Sequence, residues 1–356
     1  MKSMRFIKIF ITTLAACIVA VGLFVFLLDP FYHYHAPIWG TKTYLYNAVY
    51  QTPGAAKNLT YDSVITGTSM TENFDGNWFD DELGWNTLKL SYSGARTNDL
   101  SAILSEIYES QNKVKHIVMD MDDYQLRENS TTAYVERPSY LYDSNPFNDV
   151  NYLFNTDVLI AAEGRVLDTF FHKESNMKTA YIWHDNATYS AQAVMDACRN
   201  VKGMLLAENH ATPVESDYYV ENAMDNVANI TPYMEEHPET EFIIYFPPYS
   251  MLFWERSILR NDLRAQLTMY DSVIGKLLSY ENVRVFYFHD DENEIYNLGN
   301  YRDEVHYSGT TNRRMFECFV NGEHEVTLKT YKEHLENMRE IAEKYDYDAI
   351  WVTDQN

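Results

Sequence analysis

Residues spread along this chain could together perform acyl transfer. Ser69 stands in "VITGTSMTENF" (residues 64–74), where an apolar run ends at Gly67 and the chain turns polar at once. A serine hydroxyl is a weak nucleophile at neutral pH. It needs a neighbouring base, and the base needs an acid to orient it. Of the eleven histidines only His306, in "NYRDEVHYSG", has an aspartate three residues ahead of it, Asp303. Within one turn that carboxylate can take the imidazole Nδ1–H and leave Nε2 for Ser69. A third stretch, "SYSGARTND" (91–99), holds Gly94. A glycine lets a backbone N–H approach a substrate oxygen with no Cβ in the way. The Gly94 and Ser69 amides would then be two donors of an oxyanion hole. Each residue also has a plainer role open to it: Ser69 or Thr71 as a helix cap, Asp303–His306 as a surface pair, Gly94 as a turn glycine. Residues 67–71 lack the second glycine of the G-x-S-x-G elbow, which argues against an ordinary α/β-hydrolase.

Such residues must be carried on strands and helices that bring them to one edge. "YDSVIT" (61–66), "NTLKLS" (86–91), "VKHIVMDM" (114–121), "EFIIYF" (241–246) and "VRVFYF" (283–288) read as strands, the last of them closing the series. The run after Gly94 has apolar positions at helical spacing, with Thr97 as its N-cap. Room for a helical crossover between Ser69 and Trp85 favours a parallel sheet. Helices are expected near 217–237, over 253–280 as one long element, and at 307–320 and 327–345. Residues 127–215, rich in Asn, Tyr and Ser, read as an insertion with local helices. Open α/β sheets place their sites at the carboxyl ends of strands, where Ser69 and His306 both fall. "FPPYSMLFW" (246–254) either walls the pocket or packs in the core.

The N-terminus bears on the compartment. Lys2, Arg5 and Lys8 precede twenty uncharged residues, "IFITTLAACIVAVGLFVFLL", closed by Asp29 and Pro30. At about 1.5 Å per residue that helix is roughly 30 Å long, one bilayer core. The cationic flank should stay cytoplasmic and the rest lie outside, with "FYHYHAP" in the interfacial aromatic belt. A cleaved signal peptide fits less well, since the apolar run is long and no A-x-A exit follows. "LAAC", ending at Cys17, resembles a lipobox but is followed by eleven more apolar or glycine residues. The expected division is an anchor over 1–30, a juxtamembrane segment over 31–60, one α/β domain over 61–345 and a tail over 346–356. Cys198 and Cys318 either pair or stay as buried thiols. With 52 acidic and 28 basic residues the net charge is −24, which repels nucleic acid and sets that partner aside. Asp290, Asp291, Glu292 and Glu294 match no spaced calcium loop. No metal or cofactor site is expected.

Gly-Thr-Ser after the first strand, Ser-Gly after the second and Asp-x-x-His before a late helix together resemble the SGNH (GDSL-like) esterase and acyltransferase superfamily. The apolar N-terminus with "GTSM", "PPYS" and "YRDEVHYS" is similar to membrane-tethered relatives of the DltD and alginate O-acetylation type. The likeness covers about residues 60–320 apart from the insertion. It implies a three-layer α/β/α sandwich of flavodoxin-like build, with Ser69 as nucleophile, His306 as base and Asp303 as its acid. It further implies an acylated envelope polysaccharide or similar polymer as substrate, and a membrane acyl-transfer partner. The family usually has Gly-x-Asn-Asp in its third block, where the Asn donates to the oxyanion. This chain has Asp120-Met121-Asp122-Asp123, which puts Asp122 at the Asn position. An ionised carboxylate accepts and cannot donate, so Asn98 or another side chain would have to substitute, or Asp122 be protonated. A non-catalytic module binding a glycan or partner is the rival expectation.

Overall fold

A computed structural model describes residues 2–171, 175–208 and 210–352. The helices in chain order are α1 (Lys2–Leu28), α2 (Ala48–Asn58), α3 (Ser69–Glu72), α4 (Gly76–Leu83), α5 (Thr97–Glu109) and α6 (Asp123–Arg127). They continue with α7 (Val150–Leu153), α8 (Thr156–Phe171), α9 (Ala191–Glu208), α10 (Val220–Ala228), α11 (Thr231–Glu236) and α12 (Met251–Arg260). The last are α13 (Leu263–Leu277), α14 (Glu292–Ile295), α15 (Gly309–Asn321), α16 (Tyr331–Lys344) and α17 (Tyr347–Val352). The strands are β1 (Ser63–Gly67), β2 (Thr87–Ser91), β3 (His116–Asp120), β4 (Glu241–Phe246), β5 (Val283–Tyr287) and β6 (Glu325–Val326).

The strands form one six-stranded sheet in the order β2-β1-β3-β4-β5-β6. The first five pair in parallel, and β6 adds a short antiparallel edge to β5. β5 is therefore not the last strand, as the apolar pattern suggested; two residues carry too little periodicity to be seen. Parallel strands are covered on both faces and read as apolar runs. Every residue of β1 and β2 is buried accordingly. Fully burying a side chain such as Ile65 or Ile244 contributes about 1.5–3 kcal/mol. Since β1 lies between β2 and β3, chain direction across the sheet reverses there. This switch point opens a crevice beyond the carboxyl ends of β1 and β3.

Several local expectations are corrected. The element expected over 253–280 is two helices, because Asn261 takes the left-handed conformation (φ 56°) between α12 and α13. Asparagine tolerates that region as few residues do. The helix near 217–237 is likewise split into α10 and α11. Thr97 is the first residue of α5 and not its cap; its hydroxyl donates to Asn226 Oδ1 instead (2.6 Å). The insertion contains two long helices, α8 and α9, while residues 172–174 and 209 of it lie outside the described residues.

α2, within the expected juxtamembrane segment, contributes Ala55 and Ala56 to the main core. Phe31 and Tyr32, expected in an interfacial belt, are buried in protein. His33 meets Asp149 (3.3 Å), and His35 meets the Phe26 carbonyl (2.9 Å). Cys198 and Cys318 are unpaired buried thiols. Part of the expected tail forms α17, and residues 353–356 lie outside the described residues. α1 is long and apolar enough to cross a membrane.

Candidate active site

Ser69 opens α3 directly after β1, and the turn that presents it rests on a buried carboxylate. Asp120, the last residue of the neighbouring β3, accepts from the Thr68 amide (2.9 Å) and hydroxyl (2.6 Å). The carboxylate sits where a side chain at position 67 would go. A Cβ on Gly67 would lie 1.8 Å from Asp120 Oδ1, and φ there is +143°. Glycine is required on both counts. Thr68, not Ser69 or Thr71, caps α3, accepting from the Met70 amide (3.2 Å). That leaves the Ser69 hydroxyl without a capping role. Burial, and then the charge of Asp122, push the Asp120 carboxyl up to about 7, against the pull of the Thr68 bonds.

The far end of α3 is held by Lys89, whose ammonium donates to the carbonyls of Glu72 (2.7 Å) and Phe74 (2.8 Å). Alternation along "NTLKLS" suggests a face open to water, but α3 and α4 cover β2 and Lys89 is buried. Burial lowers its amine to about 7, partly offset by Glu72 and Asp75. Glu72 accepts from the Ser93 hydroxyl (2.8 Å) and so ties α3 to the Gly94 loop.

His306 arrives from the opposite direction, on the loop before α15. Its Nε2 lies 2.9 Å from Ser69 Oγ, and its Nδ1 lies 2.8 Å from Asp303 Oδ2. Asp303 also accepts from the amides of Val305 (3.1 Å) and His306 (2.8 Å). Burial raises this carboxyl. The His306 ring bond, the His306 charge and the two amides outweigh it and hold Asp303 below the usual carboxylate range. It is therefore ionised at neutral pH, as a partner to imidazolium must be.

"PPYS" neither lines the pocket nor merely fills the core; it braces this loop. Pro248 O accepts from Tyr301 OH (2.8 Å), while the Ser250 amide and hydroxyl both donate to Glu304 O (3.0 and 2.9 Å). Tyr249 OH reaches across to Asp122 Oδ1 (3.0 Å).

Ser69 and His306 open into a cavity of about 390 Å³ that Gly94, Asp122, Tyr124 and Tyr134 also line. Two larger cavities, of about 720 and 890 Å³, flank residues 212–215 and contain neither group. The Ser69 and Gly94 amides have no acceptor among the described residues, as oxyanion donors require. Gly94 has φ +75°, and a Cβ there would meet the Tyr134 ring at 2.6 Å. Its freedom thus serves a contact with the insertion as well as access to the amide. A second part of the insertion sets the Trp183 ring edge-on to His306, with centroids 5.6 Å apart. Asn73 holds that segment by accepting from the Trp183 and His184 amides (3.1 Å each).

Asn98 is not brought to the pocket. It is not among the residues that line the cavity, and its side-chain oxygen accepts from Arg137 (2.7 Å). Asp122 does line the pocket. It caps α6, accepting from the Tyr124 amide (2.9 Å) and Tyr249 OH. Burial raises its carboxyl despite these bonds.

The supporting residues Asp120, Lys89, Glu72 and Ser250 were not legible as site residues in the sequence. A lysine inside an apolar strand was the one available signal. Of the acidic run at 290–294, Asp291 and Glu294 face Arg314, and Asp290 faces His334. No family model matches this chain, and no curated protein matches it.

Proposed function

We propose that this protein is a membrane-anchored serine esterase or O-acyltransferase of SGNH type, its catalytic domain a three-layer α/β/α sandwich outside the cytoplasm. The observation that carries the reading is the unbroken chain Ser69 Oγ–His306 Nε2 (2.9 Å) and His306 Nδ1–Asp303 (2.8 Å) at the sheet's switch point. His306 takes the Ser69 proton as Oγ attacks an acyl carbon. Asp303 stabilises the resulting imidazolium, and the Ser69 and Gly94 amides donate to the oxyanion. His306 then returns its proton to the departing alkoxide. Water or an acceptor hydroxyl, deprotonated by the same imidazole, resolves the acyl-enzyme, so hydrolysis and transfer share every residue.

An envelope polysaccharide or comparable polymer as substrate, and a membrane partner that delivers or receives the acyl group, follow from the family resemblance. The outward orientation follows from the cationic flank of α1. One observation favours a second reading, a degenerate glycan- or partner-binding module: Asp122 brings a carboxyl into the pocket where the resembling family places a donor. Burial raises that carboxyl toward its neutral, donating form, which weakens the objection.

A fluorophosphonate probe separates the two. Labelling of the wild type and its loss in Ser69→Ala supports the enzyme. Absence of labelling in folded wild-type protein supports the binding module. In Ser69→Ala or His306→Ala the turnover of an aryl acetate falls by roughly 10⁶.

A further inference from the structure

We propose that the insertion enters the outer leaflet beside α1, so that the protein is held on lipid by two elements. This rests on α1 being the membrane span. The apolar run begins after Lys8, and twenty residues are needed to cross the hydrocarbon, so the span must reach about Leu28. The described part of α1 stands free of protein through Ala20, but its last two turns do not. A Cβ on Gly22 would lie 3.5 Å from Phe154 Cζ. Val25 is fully buried in a second core cluster with Tyr152, Val158 and Ala161. Arg165 donates to the carbonyls of Leu28 (2.6 Å) and Asp29 (2.7 Å), and Tyr152 OH donates to Asp29 Oδ1 (2.7 Å).

These contacts set the depth of the insertion. Phe154, just before α8, meets α1 at position 22, Val158 and Ala161 of α8 cluster with Val25, and Arg165 reaches 28–29, so α8 runs beside α1 in the same sense. Six residues of helix separate Gly22 from Leu28, about 9 Å. Whatever packs at Gly22 therefore lies roughly 9 Å inside the end of the span. Exposed apolar side chains there are Phe154 (42%) and Ile160 (47%), with Phe147 (91%) and Val150 (54%) nearer the end of the span, where Asp149 and Tyr152 meet His33 and Asp29. Asn151, Thr156 and Glu163 are exposed among them. Of the nearby carboxylates, Asp149 meets His33 and Asp157 accepts from the Tyr46 hydroxyl, while Glu163 is exposed. An exposed apolar patch marks a binding surface. Continuity with a spanning helix at the same depth identifies the occupant as lipid.

The test is spin-label accessibility on the full-length chain in phosphatidylcholine vesicles, in a Cys17→Ala background whose two buried thiols are first shown not to label. Nitroxides go on Val150→Cys and Phe154→Cys, with Val19→Cys as the lipid reference and Leu328→Cys as the water reference. All four positions are outside the core, and two insertion sites guard against one variant misfolding. The oxygen-to-nickel accessibility ratio at 150 and 154 should exceed that at 328 several-fold and approach that at 19. Water-like values at 150 and 154 with a lipid-like value at 19 overturn the proposal alone. Protection from both reagents identifies a second protein copy on the patch and overturns it too. A water-like value at 19 removes the spanning helix and the proposal with it.

Discussion

The two halves of the candidate site are built differently. On the serine side the turn is buried, and ionisable groups beneath it do the holding: Asp120 under Thr68, and Lys89 under the end of α3. On the histidine side the Asp303 and His306 side chains are each more than a quarter exposed. The loop is tied there by hydrogen bonds from Ser250 to Glu304 O and from Tyr301 to Pro248 O, and by an ion pair of the Glu304 side chain with Arg256. A nucleophile gains from a fixed, dry position, whereas a base that exchanges protons with alcohols or water must face the mouth of the pocket. Under the proposed mechanism the contrast matches those two tasks.

Four changes would sharpen or break this comparison. Asp303→Asn leaves the loop in place but upsets the imidazole tautomer, so kcat on an aryl ester should fall by about 10⁴ with KM nearly unchanged. A loss below tenfold would mean that the exposed side does not depend on its acid. Gly67→Ala strikes the buried side. Strain at φ +143° alone costs about 1–3 kcal/mol, and the clash with Asp120 adds to it. Thermal unfolding should show a lower Tm together with slower probe labelling. An unchanged Tm would remove the idea that Asp120 braces a rigid turn.

Lys89→Met tests the same side through pH. Folded Lys89 titrates at about 7, against an ordinary 10.5. Between those values the unfolded chain holds the extra proton, so this group makes stability rise with pH, by up to about 1.4 kcal/mol per unit. Denaturant unfolding at pH 7, 8 and 9 should show that slope flattened in the variant. A slope unchanged by the substitution would mean that Lys89 keeps its charge when folded. Ser250→Ala, on the open side, removes one neutral bond worth about 0.5–1.5 kcal/mol. A several-fold loss of kcat is expected, and a loss as large as that of Asp303→Asn would erase the distinction between bracing and chemistry.

Much of this was legible along the chain. Ile65, Val118 and Ile244 sit in apolar runs that announce buried strands, and Gly67 marks where the first one must turn. Asp303 and His306 are three residues apart, so one turn brings them together whatever the rest of the fold does. Other features were hidden. Lys89 alternates as though it faced water, and only the cover laid by α3 and α4 makes it a buried prop. Asn98 was a reasonable donor by type, yet it does not line the cavity and its oxygen is taken by Arg137. Tyr134 and Trp183 lie in a segment with no clear periodicity, and they reach the site because the insertion folds back over it.

By itself the sequence determined the α/β class, the apolar N-terminal helix and the local Asp303–His306 pair, because hydrophobic period and short offsets are properties of neighbours. The meeting of Ser69 with His306, 237 residues away, was decided only by tertiary structure. Strand order, and with it the point where the sheet reverses, depends on which faces pack together, and no local window of residues records that.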